Sequence, residues 1–373
     1  MSRERTRLLV RLLLLSAVSS GVVVRADEGD VLRRVLSTWR GRQTTPRTVH
    51  YVLSGTHYVK AGALTAMAPA FGWDASKPFP PEDVADRMSI KIWLDLSKNR
   101  IRIDADIPSL VRFVDRAAGD TQSREIRVLD GTMCYVWNPN SPDDEIELSF
   151  RKNVHRIPTP PYLLPIRFAH GLVDVNRLGW LEFPVPAPKT GDFRVVAGAN
   201  EKTRRVVIRS RPGRDGSWSE WELDSARVFA VTRYTRFRGP HDRTLNVQVE
   251  YDDGKTNWLP VHWKAMRFDH GKGGLLEAWD VVVDHVQRDV AIGGSVFRVE
   301  PAPGMMVADV DAGEVYEVSA DGSKGRSLAA IRLAERRKAS WWARNRWVLW
   351  MVASGIVLVA TGVVWRVWQS GRS

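Results

Sequence analysis

Two hydrophobic periods divide this chain. The first is helical. After Asp30, a side chain suited to capping a helix N-terminus, Val31, Val35 and Trp39 fall on one stripe of "VLRRVLSTWRGR". From Thr48 the period drops to two, the mark of a strand with one buried face. In "TVHYVLSG", Val49, Tyr51 and Leu53 alternate with His50 and Ser54. "RMSIKIWLDLSKNRIRIDADIP" reads as a hairpin: Met88, Ile90, Ile92, Leu94 and Leu96 share a face, and Ile101 and Ile103 return after Ser-Lys-Asn. "REIRVLDGTMCYVWNP" predicts a second hairpin, bent at Asp130-Gly131, and "DEIELSF" continues the alternation.

Proline-rich stretches punctuate the strands. Residues 61–83, "AGALTAMAPAFGWDASKPFPPED", read as an irregular loop. "PTPPYLLPIRFAHGLVD" predicts a short apolar helix after its prolines, and "RLGWLEFPVPAPKTGDF" a connector between two groups of strands. The second group is denser, with turn signals every 8–12 residues from "RRVVIRS" to "LLEAWDVVVDHVQRDV", as in an antiparallel meander. "MMVADVDAGEVYEVSADGS" predicts a small terminal hairpin. No repeat of fixed period is present, although "IWLDLSKNRIRID" and "EWELDSARVFAVTR" echo one another as strand, Leu-Asp, turn, strand. The expected class is α+β: a curved antiparallel sheet, or incomplete β-barrel, with a few helices.

The two ends follow neither period. Residues 347–365 are uncharged and mostly apolar, the length that crosses a bilayer as a helix. Trp341, Trp342, Trp347 and Trp350 crowd one end and Trp365 and Trp368 the other, as in an interfacial aromatic belt. The first 26 residues carry a basic segment, an apolar run from Leu12 to Val24 and a small-residue cleavage pattern, the expectation being an export signal. The basic collar before the span, with Arg344 and Arg346, outnumbers the two arginines after it, and alone would hold the preceding part in the cytoplasm. The first hydrophobic segment usually sets orientation, so the expected topology is single-pass in the cytoplasmic membrane with the globular part outside.

Charge then narrows the partners. The formal net charge is +12, but residues 1–26 hold +4 and residues 332–373 hold +7, leaving +1 on the middle. That neutrality, without a basic stripe or nucleic-acid module, argues against nucleic acid and assigns the basicity to a membrane surface. The expected organisation is a signal peptide (1–26), a β-rich extracytoplasmic domain (27–300), a hairpin extension (301–331), a basic juxtamembrane segment (332–346), the span (347–365) and a cytoplasmic tail (366–373). Cys134 is the single cysteine, so no intramolecular disulfide forms, and its strand context reads as a small buried hydrophobe.

No nucleophile elbow, zinc helix, P-loop or dinucleotide fingerprint occurs, and the eight histidines are scattered; no cofactor, metal or catalytic residue is expected. "DVDAGEVYEV" departs from a calcium loop at Gly313. Asp104/Asp106, Glu145/Glu147 and Glu220/Glu222/Asp224 put carboxylates in line on single strand faces. Next to Arg233, Arg236 and Arg238 they read more simply as cross-strand ion pairs than as a hydrolase's converging acids. The strands themselves suggest a site. Apolar residues on both faces of several of them, with ten tryptophans between residues 27 and 331, fit either a packed core or a curled sheet that holds an apolar ligand. The residues expected to line such a site are Ile92, Leu94, Ile103, Tyr135, Trp137, Trp221 and Trp263.

The order of these elements resembles the bacterial outer-membrane lipoprotein-sorting (LolA-like) family. It is also similar to the related sigma-E regulators typified by RseB and to exported proteins of planctomycete-type bacteria. The likeness covers roughly residues 30–295 as a pattern, from the Trp-ended helix through "VHYVLSG" to "EWELDSARVFAVTRYTRF", with no diagnostic motif. It implies an incomplete barrel closed by helices, with an apolar concave face that receives lipid chains. The anchor and the proline-rich insertions depart from a soluble shuttle. The expected function is therefore a membrane-anchored, non-enzymatic binding protein for an acyl chain, lipid or lipidated protein. A signalling or scaffold protein of the envelope is the alternative, and a hydrolase using paired carboxylates a more distant one.

Overall fold

The computed structural model describes residues 28–66, 76–107, 123–137, 148–152, 156–173, 180–186, 188–197, 204–213, 215–239, 242–252 and 258–328. Helix α1 (Glu28–Arg42) starts before the expected cap. Asp30 therefore sits inside the first turn and pairs with Arg33 instead of capping the helix. Burial of Leu32, Val35, Leu36 and Trp39 sets the stripe that faces the sheet. The first strands are β1 (Thr48–Val59), β2 (Val84–Asp95), β3 (Arg100–Ile107), β4 (Ser123–Leu129), β5 (Met133–Trp137) and β6 (Leu148–Lys152). A two-stranded ribbon of β7 (Arg156–Pro158) and β8 (Trp180–Glu182) brackets α2 (Leu164–Ala169). The stretch expected to be only a connector thus supplies a strand, because Ile157 and Leu181 pair and bury together.

Seven strands follow: β9 (Phe193–Ala197), β10 (Arg205–Ser210), β11 (Ser217–Asp224), β12 (Ala230–Arg238), β13 (Arg243–Tyr251), β14 (Pro260–Phe268) and β15 (Leu275–Arg288). The chain then crosses to β16 (Met306–Asp309), β17 (Glu314–Val318) and β18 (Lys324–Leu328). Together they form one open sheet in the order β18-β17-β16-β6-β5-β4-β3-β2-β1-β15-β14-β13-β12-β11-β10-β9. Every pairing is antiparallel except β16 with β6. The expected terminal hairpin is β16–β17, and β18 extends it. The echo between the two Leu-Asp hairpins has a physical basis. Asp95 accepts from Lys98 N, and Asp224 from Ala226 N, so each aspartate ties the turn that ends its strand.

Period two builds the inner face. Opposite one another across the ladder stand Ile103, Ile92, Tyr51 and Val286, and in a second row Trp221, Tyr234, Val247, Ala265 and Trp279. All join one apolar cluster with α1 and α2, which requires the sheet to curl around the helices. At β4 the apolar face changes sides. Arg127 lies opposite inward Ile103, whereas Ile126 lies opposite outward Asp104. From there Ile126, Val128, Tyr135, Trp137 and Leu148 are outward and are covered by the strap that leads to β16, with Phe297 wholly buried among them. The apolarity on both sides of β5 in the sequence is the trace of this crossover.

Among the described residues no helix is long and apolar enough to cross a membrane. The expected signal at 1–26, the span at 347–365, and Trp341, Trp342, Arg344, Arg346, Trp347, Trp350, Trp365 and Trp368 lie outside the described residues.

Candidate functional site: the roofed inner face

Five of the seven expected ligand residues come together. Ile92, Leu94, Ile103, Trp221 and Trp263 belong to the inner cluster, each at most 3% exposed. Tyr135 and Trp137 are half-buried on the other face, against the strap. The register separates the two groups, and no period within a single strand reveals which face a neighbour shares.

The inner floor is covered by a roof of two pieces. One is α1, whose Trp39 meets Phe193 and Trp221 edge-on at 6.1 and 6.5 Å. The other is the buried segment from the one-turn helix Pro161–Leu163 through α2 to Val173. Phe168 packs on Tyr234, and Trp263 Nε1 donates to the Tyr162 carbonyl at 2.8 Å. The pieces meet at Gly171, which has a φ of +66° and leaves no room for a Cβ, since one would lie 2.1 Å from the Trp39 carbonyl oxygen. Gln43 Nε2 donates to Gly171 O at 2.7 Å, so the two pieces form a unit.

Polar groups gather where the roof ends. The His170 ring, fully buried, lies 2.7 Å from the Tyr51 hydroxyl and edge-on to Trp258. Burial, and then the charge of Arg42, pull His170 down to about 3, so it is neutral at physiological pH. Arg42 is 5% exposed, donates to the Val228 carbonyl at 2.5 Å and stacks over Trp258; burial lowers it to about 10. Burial raises Tyr51 well above the phenol range, so its hydroxyl keeps its proton. The buried polar atoms without a hydrogen-bond partner among the described residues include Trp39 Nε1, Arg42 Nη1 and His170 Nδ1 on the roof and Trp221 Nε1 on the floor beneath it. A buried polar group left in this state costs about 1–3 kcal/mol, so the cover is held less firmly than its apolar contacts suggest. The sequence offered one signal for this cluster, a histidine and an arginine at the ends of apolar helices, but not that the two ends converge.

The acidic pairs do not converge. Asp104 is held by Arg102 and Arg124, Glu220 by Arg209, and Glu222 by Arg205 and Arg233, all on the outward face. Strands β3 and β11 are seven ladder steps apart. Glu145 and Glu147 lie outside the described residues. His262 bridges Glu250 and Asp280 and His270 contacts Asp242, so each of these histidines is engaged by carboxylates. Asp309 accepts from Asp311 N and Ala312 N, closing the β16–β17 turn that resembles a calcium loop in sequence. Among the described residues no group of three or more metal-ligating side chains is assembled.

No family model matches the chain, and no curated protein does. Solved structures do. A LolA superfamily protein from Nitrosomonas europaea matches over 72% of this chain and 97% of its own, at 10% identity and a TM-score of 0.39. A DUF1329 family protein from Desulfovibrio piger covers 73% of this chain and 98% of its own at 9% identity and 0.40. A putative outer membrane lipoprotein-sorting protein domain from Vibrio parahaemolyticus covers 72% and 95% at 8% identity and 0.38. The described part of this chain is itself a large, open and mostly antiparallel sheet with few helices.

Proposed function

We propose that the inner face binds an apolar group, an acyl chain of a lipid or of a lipidated protein, after the roof moves aside. In this reading the chain is a non-enzymatic extracytoplasmic protein, held at the cytoplasmic membrane by residues 347–365, and needs no cofactor. One observation carries it. An almost wholly apolar floor is closed by two short helical pieces that themselves hold the unpartnered Trp39 Nε1, Arg42 Nη1 and His170 Nδ1. Each piece is short and holds at least one such atom, which makes the cover the part that opens in this reading.

Burying a methylene is worth about 0.8 kcal/mol, so a dozen of them contribute roughly 10 kcal/mol toward displacing part of the roof. An anchor also suits a fixed receptor, since an acyl chain presented by the bilayer reaches it without crossing water.

The test is native mass spectrometry of the full chain released from a mild detergent. A bound mass of a lipid or acylated species is expected, and Trp263→Arg, which places a charge on the floor, removes it while a surface variant such as Lys272→Ala retains it. Absence of any such mass in repeated preparations, with lipid added in excess, overturns the reading.

A further inference from the structure

The outward face of the second strand group holds a feature that the inner site does not use. Two open depressions, of about 520 Å³ and about 580 Å³, lie on this face of the sheet. The register joins them. Glu220, Thr235, Asn246, Met266, Ala278 and Tyr58 stand opposite one another in turn from β11 to β1. Beside them runs a second outward row of Glu222, Arg233, Gln248, Lys264, Asp280 and Thr56. The two depressions therefore lie end to end along the same two rows, which cross six strands over about 24 Å at roughly 4.8 Å per step and together form the candidate groove.

Three observations define what fits. First, Asn246 is only 5% exposed, lines the groove, and its side-chain oxygen has no donor among the described residues. A buried acceptor in that state invites a hydroxyl or N–H. Second, the lining is neutral: Glu220, Glu222 and Asp280 are balanced by Arg233, Arg243 and Lys264. The carboxylates are already engaged, Glu220 by Arg209, Glu222 by Arg205 and Arg233, and Asp280 by His262 and Lys264. Third, Phe237, Met266, Ala278 and the 44% exposed Val282 set apolar patches between the polar groups.

We propose that this groove binds an uncharged, linear oligosaccharide lying across the strands. Its hydroxyls donate to Asn246 and bridge the paired carboxylates, arginines and Gln248, and its C–H faces cover the apolar patches. An extended peptide fits less well. Peptides add to sheets through main-chain pairing at an edge, and the main-chain groups of these central strands are already used by their neighbours. The site is independent of the inner face, on the other side of the same sheet.

The experiment is calorimetric titration of the full chain, in a detergent without a sugar headgroup, with maltohexaose, cellohexaose and chitohexaose. Heparin and a Gly-Ser peptide of similar length serve as comparison probes. Saturable binding of at least one hexasaccharide is expected, weakened about tenfold or more in Asn246→Leu and in the exposed variant Gln248→Leu. Lipid retention by native mass spectrometry stays unchanged in both, which separates this site from the inner one. The proposal is overturned if none of the three sugars binds at millimolar concentration. It is equally overturned if binding is the same in both variants, or if heparin or the peptide binds and the sugars do not.

Discussion

His170 and His262 show how opposite surroundings set opposite acid responses in one protein. His170 is held down to about 3 by burial, while the unfolded chain's imidazole titrates near 6.5. Its contribution to stability is therefore whole above about pH 6.5 and is lost as pH falls from there toward 3. Urea unfolding at stepped pH should show a shallower acid loss in His170→Phe than in the parent. At His262 partial burial works against the charge, but the hydrogen bonds its ring donates to Asp280 and Glu250 prevail and raise it. That contribution is full below about pH 6.5 and is lost as pH rises through the raised value. In Asp280→Asn, NMR titration of the His262 ring should move back toward the ordinary range; an unmoved titration contradicts the assignment. Cys134 is simpler. Burial pushes its thiol up to about 11, so a disulfide reagent should label it slowly in the folded chain and quickly in denaturant.

At the scale of elements, the roof and the strap carry separate consequences. Gly171→Ala puts a Cβ against the Trp39 carbonyl at a left-handed position, so α1 and α2 must separate. Hydrogen exchange should then quicken in both helices while β16–β17 keeps its protection. Phe297→Ala removes the buried centre of the strap and should cost about 3–5 kcal/mol in denaturant unfolding, loosening β16 from β6 rather than the roof. These elements also mark what the sequence made legible. Strands with one buried face, such as Val49-Tyr51-Leu53 and Met88 to Leu94, were readable because alternation reports a single interface. The crossover at β4 was not, since Ile126 and Arg127 acquire their sides only from pairing with Asp104 and Ile103. Nor was the parallel pairing of β16 with β6, between segments more than 150 residues apart. The roof cluster stayed hidden for the same reason, as Arg42, Tyr51 and His170 meet only once the sheet has curled.

As a whole, the described residues are dominated by one long sheet with two distinct faces. Its inner face is closed by α1 and α2, and its outer face is covered by the strap toward β16 and open across β11 to β1. In the proposed reading an acyl chain is taken inside while the opposite surface stays free for a polar ligand. Whether the roof yields to an acyl chain is read directly by tryptophan fluorescence, because Trp39, Trp221 and Trp263 line that interior and are wholly buried. A fatty acid brominated along its chain quenches only the rings it touches. Added to the full chain, it should quench saturably, with a smaller effect in Trp221→Phe and none of the saturable component in Trp263→Arg. Quenching that grows linearly with concentration and is the same in all three proteins would mean that the interior stays closed, and would contradict the account.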